Sequence, residues 1–194
     1  FNHASSKNAP QTYAIILKYF IVVGATGLLI IIGFIDLFKT LLIRNDSYYI
    51  AINIVPVVLL ANFFLGIYHN LSIWYKLTDK TRYGMYFSIV GALLTVVINI
   101  VFIPRFGFMA AAYATLIAYG SMMLLSYLIG QKHYKVPYDL KRISIYLAVA
   151  TGFSAVSFYL FRENYIVSLI LLAAFSAMIL KIESKELNRI LFKK

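Results

Sequence analysis

Residues 83–131 read YGMYFSIVGALLTVVINIVFIPRFGFMAAAYATLIAYGSMMLLSYLIGQ, and Arg105 is the single charged side chain among them. It lies in Pro104-Arg105-Phe106-Gly107, a turn sequence between two uncharged windows, Tyr83–Pro104 and Phe106–Gln131, of 22 and 26 residues. A helix that crosses the hydrocarbon core of a bilayer needs ~20 mostly apolar residues, within a range of ~17–25. The stretch therefore reads as two spanning helices joined by a tight hairpin.

Four further windows flank this pair. Tyr19–Ile35, Ser47–Tyr75, Ile143–Phe161 and Asn164–Leu180 hold 17, 29, 19 and 17 residues without an Asp, Glu, Lys or Arg. The predicted fold class is an all-α membrane protein with six transmembrane helices, over about 13–41, 48–75, 83–104, 107–131, 142–161 and 164–181. Lys18, at the edge of the first, is expected to snorkel to the interface. Composition agrees: the 194 residues are 62% hydrophobic and 13% charged, against ~25% charged in a soluble domain. Disordered, collagen-like and ordinary soluble classes are excluded. There is no cysteine, which removes disulfides, thiol nucleophiles and thiolate metal sites.

The net charge of +11 invites a nucleic-acid reading, but the basic residues are scattered between long apolar runs instead of clustering on a polar face. Sorted by alternate ends of the six windows, fourteen of the 18 fall on one side, in the tails and the loops after helices two and four. Lys39, Arg44, Arg105 and Arg162 fall on the other. The positive-inside bias predicts that the richer side, with both termini, is cytoplasmic. No nucleic-acid partner is expected; the bilayer is. Trp74, Tyr75, Tyr83, Tyr86, Tyr134 and Tyr138 mark span borders, where amphipathic rings favour the headgroup level. The tail from Ile182, with Leu187, Ile190 and Leu191 among basic residues, is expected to lie along the cytoplasmic surface.

Polar residues inside the spans are candidates for packing or for function. Helix three places Gly84, Ser88, Gly91, Thr95 and Asn99 on one stripe; helix four places Gly107, Ala111, Ala114, Ala118 and Ser121 on another. These stripes either pack as one hairpin, or Ser88, Thr95 and Asn99 line a wet cavity. In helix two, Pro56 is expected to kink the helix, and Asn62, Gly66 and His69 share a face with Asn70 beside it. They are read as a moving, substrate-lining element or as a repaired kink with ordinary interfacial hydrogen bonding. Asp36, with Lys39 at i+3, is either an interfacial ion pair or a coupling-ion carboxylate. The basic loop containing Lys76, Lys80 and Arg82 sets topology, and its cations are candidates to meet a phosphate.

Catalytic patterns are absent. There is no P-loop, GxGxxG or HExxH, and His3, His69 and His133 sit in unrelated segments. The chain is read as a non-enzyme with no cofactor and no metal site.

The run from Asn70 through Trp74-Tyr75-Lys76-Leu77-Thr78-Asp79-Lys80-Thr81-Arg82-Tyr83-Gly84 resembles the cytoplasmic loop in the C-terminal lobe of bacterial polysaccharide (O-antigen, Wzx-type) flippases. These belong to the multidrug, oligosaccharidyl-lipid and polysaccharide exporter superfamily. Gly91-Ala92-Leu93-Leu94, Asn99-Ile100, Ile103-Pro104-Arg105-Phe106-Gly107 and Ala110-Ala111-Ala112-Tyr113-Ala114-Thr115 are similar to that lobe's next hairpin. Thr95 and Ala110 depart from it, where relatives often carry Asn and Gly.

The resemblance implies a two-lobed transporter of about 12–14 helices in the bacterial inner membrane, working by alternating access and coupled to an ion gradient. Residues 1–140 would be four helices of the C-terminal lobe, and 141–194 two peripheral helices with a basic tail. The N-terminal lobe would be missing, in keeping with a chain that begins at Phe1. Undecaprenyl diphosphate-linked sugar would be the substrate, moved to the outer leaflet, with other polysaccharide-assembly proteins as possible partners. The alternatives are a drug or cation exporter of the same superfamily, and a membrane subunit of a polysaccharide polymerase or glycosyltransferase.

Overall fold

The computed structural model describes residues 8–43 and 45–191; the side chains at 42, 46–48 and 185–191 lie outside the description. Lys7, Arg44, Lys193, Lys194 and the tail side chains Leu187, Ile190 and Leu191 therefore fall outside it. Among the described residues the chain is helical with no strand. Six helical stretches are long and apolar enough to cross a membrane: Ala9–Gly33, Tyr49–Leu77, Arg82–Phe106, Phe108–His133, Leu140–Tyr159 and Tyr165–Ser184. Helices suit this composition because hydrocarbon offers no partners to backbone N–H and C=O groups, and a helix satisfies them internally.

The elements are α1 (Ala9–Gly33), α2 (Ile35–Leu42), a 3-10 helix (Asp46–Ile54), α3 (Val55–Leu71), α4 (Ile73–Leu77), α5 (Arg82–Phe106), α6 (Phe108–His133), α7 (Leu140–Tyr159) and α8 (Tyr165–Leu191). Three differ from the sequence expectation. Pro56 does not kink a helix midway: it sits in the first turn of α3, directly after the 3-10 helix. A first-turn proline lacks only an N–H that would have no intrahelical acceptor. The tail from Ile182 is not a separate segment, because α8 runs on through Leu191. The turn between α5 and α6 is a single residue, Gly107 at φ 60°, ψ −146°. That conformation is essentially reserved for glycine. Pro104 stays within the last turn of α5.

The chain forms two compact units. Among the described residues, one comprises residues 8–20 with Ile50–Leu140, and the other comprises residues 21–43 and 45–49 with residues 141–191. Residues 21–43 and 45–49 thus belong with the last two helices.

In the first unit α6 is central and packs against α3 and α5. Its buried line is Ala110, Ala114, Ala118, Met122, Ser126 and Gly130, a strict i+4 series. Such a line drifts about 40° per step around a 3.6-residue helix, so it meets more than one neighbour. Ala118 and Met122 lie against Gly91 of α5, and Gly130 lies against Trp74 of α4. The hairpin is therefore packed, as one of the two sequence readings has it, but on a shifted register: Ala110, Met122 and Ser126 are buried, while Ala111 and Ser121 are only half-buried. Gly84 departs from the expected stripe altogether, since it faces Tyr75.

In the second unit α7 buries Ile143, Tyr146, Ala150, Ser154, Ser157 and Phe158. Ser157 and Ser168 share a hydroxyl–hydroxyl hydrogen bond of 2.9 Å, and Gly33 lies against both. Small side chains let helix backbones approach closely where burying apolar surface supplies little drive. Asn164 starts α8 by accepting from the Val167 N–H at 3.3 Å.

Candidate functional site

The loop end of the first unit concentrates aromatic and basic groups. Trp74 and Tyr75 are buried with Tyr68, Phe87 and Met122 in one cluster. The Trp74 indole stacks on the His133 imidazole, with centroids 5.1 Å apart and planes at 17°. Tyr83 closes the group, 5.2 Å from Trp74 and 5.4 Å from His133. The short connection from α4 to α5 places Asp79 at φ 56° and bonds the Lys80 N–H to the Tyr75 carbonyl at 2.8 Å. Lys76, Lys80 and Arg82 are exposed around this platform. Three cations beside desolvated rings form an arrangement able to meet an anionic group by charge-assisted hydrogen bonds. In the adjoining loop, burial and the neighbouring Tyr127 and Tyr134 phenols push the Tyr138 phenol up to about 12. Burial, then Tyr13, also raises Tyr134.

The polar residues of the spans are not gathered into one site. Asn62 is exposed and donates to its own helix at Val58 O, 2.8 Å away. Asn70 does the same to Gly66 O at 3.0 Å. His69 is exposed, 5.4 Å from the Tyr68 ring, while Gly66 between them is covered by Phe20. Ser88 donates to Gly84 O and Thr95 to Gly91 O, both at 2.9 Å. Hydroxyls at i bonded to carbonyls at i−4 are satisfied within the helix and need no cavity. Asn99 differs: its Oδ1 is buried without a hydrogen-bond partner. Lys18 is buried and does not snorkel outward; its Nζ lies 5.1 Å from the Tyr19 ring.

Asp36, in the second unit, is buried. Arg162 donates to it from Nε at 3.1 Å and Nη2 at 3.2 Å, and Lys39 lies 3.7 Å away. The ion pair with Lys39 at i+3 is present, and Arg162 makes it a three-member network. A carboxylate held by a guanidinium fork is already neutralised by charge and geometry. This favours the structural reading of Asp36 over the coupling-ion one.

Sequence reasoning missed a second buried carboxylate. Glu183 in α8 is 2% exposed and accepts from Tyr146 Oη at 2.6 Å and Arg142 Nη1 at 3.3 Å. The available signal was Arg142 and Tyr146 at i and i+4 in α7, opposite an acid at the end of an apolar run. Also missed were three orphaned buried groups, Trp74 Nε1, Ser126 Oγ and Ser154 Oγ. Among the described residues no cluster of three or more His, Asp or Glu side chains could hold a metal ion.

No family model, curated protein or solved structure matches the chain. What stands is a chain with six helices able to span a membrane.

Proposed function

We propose that this chain is part of a flippase for lipid-linked polysaccharide units, embedded in the bacterial inner membrane with both termini cytoplasmic. The reading rests on the resemblance of residues 70–84 and of the following hairpin to the C-terminal lobe of such transporters. The observation that carries it is the platform at that stretch: Trp74 and Tyr75 buried in an aromatic cluster, with Lys76, Lys80 and Arg82 exposed around it. In this reading the three cations meet the diphosphate of the incoming undecaprenyl-linked sugar at the cytoplasmic entrance. A second lobe completes the cavity. A cation exporter would need a carboxylate available to its cargo, and Asp36 is engaged by Arg162 and Lys39.

Deleting the gene in its host tests the proposal. Lipid-linked repeat units should then accumulate on the cytoplasmic leaflet, and restoring the gene should return them to the outer one. An unchanged distribution between leaflets would overturn the function.

A further inference from the structure

We propose that Trp74 and Ser126 share one buried water molecule, which fastens the short helix α4 to the central helix α6. Two buried polar atoms face each other's helices without a partner. Trp74 is 2% exposed and Ser126 is 0% exposed, yet Trp74 Nε1 and Ser126 Oγ have no hydrogen-bond partner. Leaving a buried donor unmade carries the full desolvation penalty of that group, and native structures satisfy nearly all such groups with protein or ordered water.

Both side chains line the same small cavity, together with Leu71, Gln131, Val136 and Tyr138. The space open to a water centre is about 10 Å³, close to the minimum that accommodates a single water. The partners suit it. The indole N–H can only donate and the serine hydroxyl can donate or accept, so one water accepts from Trp74 and bonds Ser126 in either sense. Gln131 is fixed at the wall because its Nε2 donates to Val136 O at 2.8 Å, and its carbonyl oxygen can take a water hydrogen. Larger ligands are excluded by size, and a bare cation could not accept from the indole N–H. Gly130 makes the arrangement possible, since a Cβ built there would lie 2.8 Å from Trp74 Nε1.

Trp74 is the only tryptophan in the chain, so its resonance Raman bands report the hydrogen bonding of this one indole N–H. The experiment uses the full chain in lipid nanodiscs. The wild-type indole should read as hydrogen-bonded. Ser126→Gly removes the hydroxyl but leaves room for water, and the indole should stay bonded. Ser126→Val fills the space, and the bands should move to the unbonded position. An unbonded wild-type indole would overturn the proposal. So would an unbonded indole in Ser126→Gly, which would mean a direct bond to the serine. A bonded indole in Ser126→Val would place its acceptor elsewhere. Should Ser126→Val fail to fold, the wild-type and Ser126→Gly readings still decide.

Discussion

Arg162 reaches Asp36 across 126 positions of sequence and holds it with two hydrogen bonds, of 3.1 and 3.2 Å, one to each carboxylate oxygen. The pair ties the segment after α1 to the connection between α7 and α8. Phe34 stacks on Tyr165 beside it, with centroids 5.8 Å apart, and Arg162 also lies over the Phe158 ring at 5.0 Å.

Removing the fork strands a buried carboxylate. Breaking a fully buried pair costs ~3–5 kcal/mol, but the Arg162 side chain is 36% exposed and Lys39 remains. Arg162→Ala is therefore expected to destabilise the second unit by about 2 kcal/mol. Arg162→Lys should recover less than half of that, since an ammonium cannot reproduce the fork. The check is unfolding in detergent micelles; equal stability of Arg162→Ala and wild type would remove the pair from the stabilising contacts.

Tyr146→Phe removes the 2.6 Å donor to Glu183. A hydrogen bond to a charged group is worth ~1.5–3 kcal/mol, and a loss in that range is expected in the same unfolding measurement. Glu183→Gln should cost less than Glu183→Ala, because the amide oxygen still accepts from Tyr146.

Gly130→Ala drives a Cβ to within 2.7 Å of Trp74 Cδ1. Either the indole or α6 must shift, at a cost of about 1–3 kcal/mol. The change should appear in Trp74 fluorescence as well as in thermal stability, because the indole is 2% exposed in the native packing.

Tyr138 gives a pH dependence with a definite sign. Its folded value is raised to about 12 from an ordinary 10.0, so the neutral phenol belongs to the folded state. Its contribution is fully present below the unfolded value and is lost as pH rises from about 10 through about 12. Tyr134 is raised as well, so the late-titrating phenolate absorbance should fall by the amplitude of one tyrosine in Tyr138→Phe, and that variant should lose stability less steeply across the same window.

Changing Lys76, Lys80 and Arg82 together to glutamine tests the entrance platform. The remaining basic residues still favour the same side, so topology should hold. Each cation beside an anionic headgroup is worth ~1 kcal/mol. Outward movement of lipid-linked sugar should fall at least tenfold at normal expression. Unimpaired movement would leave the loop with topology alone.

The spans were legible in the sequence because hydropathy is a local property. An uncharged window such as Tyr83–Pro104 needs no knowledge of its neighbours to be excluded from water. The Asp36–Lys39 pair was legible for the same reason, as the two are one helical turn apart. Register was not. The stripe Gly107, Ala111, Ala114, Ala118 and Ser121 is apolar and small, but so is Ala110, Ala114 and Ala118, and only α3, α4 and α5 select the second. Pro56 shows a different limit: a proline within an apolar run marks a change in the helix without saying whether it bends or begins there.

By itself the sequence determined that this is a helical chain with six segments long and apolar enough to cross a bilayer, because helix formation and partition into hydrocarbon depend on runs of adjacent residues. Only the tertiary structure decided which polar groups are satisfied and by whom. It gave Asp36 to Arg162 and Glu183 to Tyr146, and it left Trp74 and Ser126 facing one small cavity. Hydrogen bonds and ion pairs act over about 3 Å, and no pattern along the chain specifies which distant side chains are brought that close.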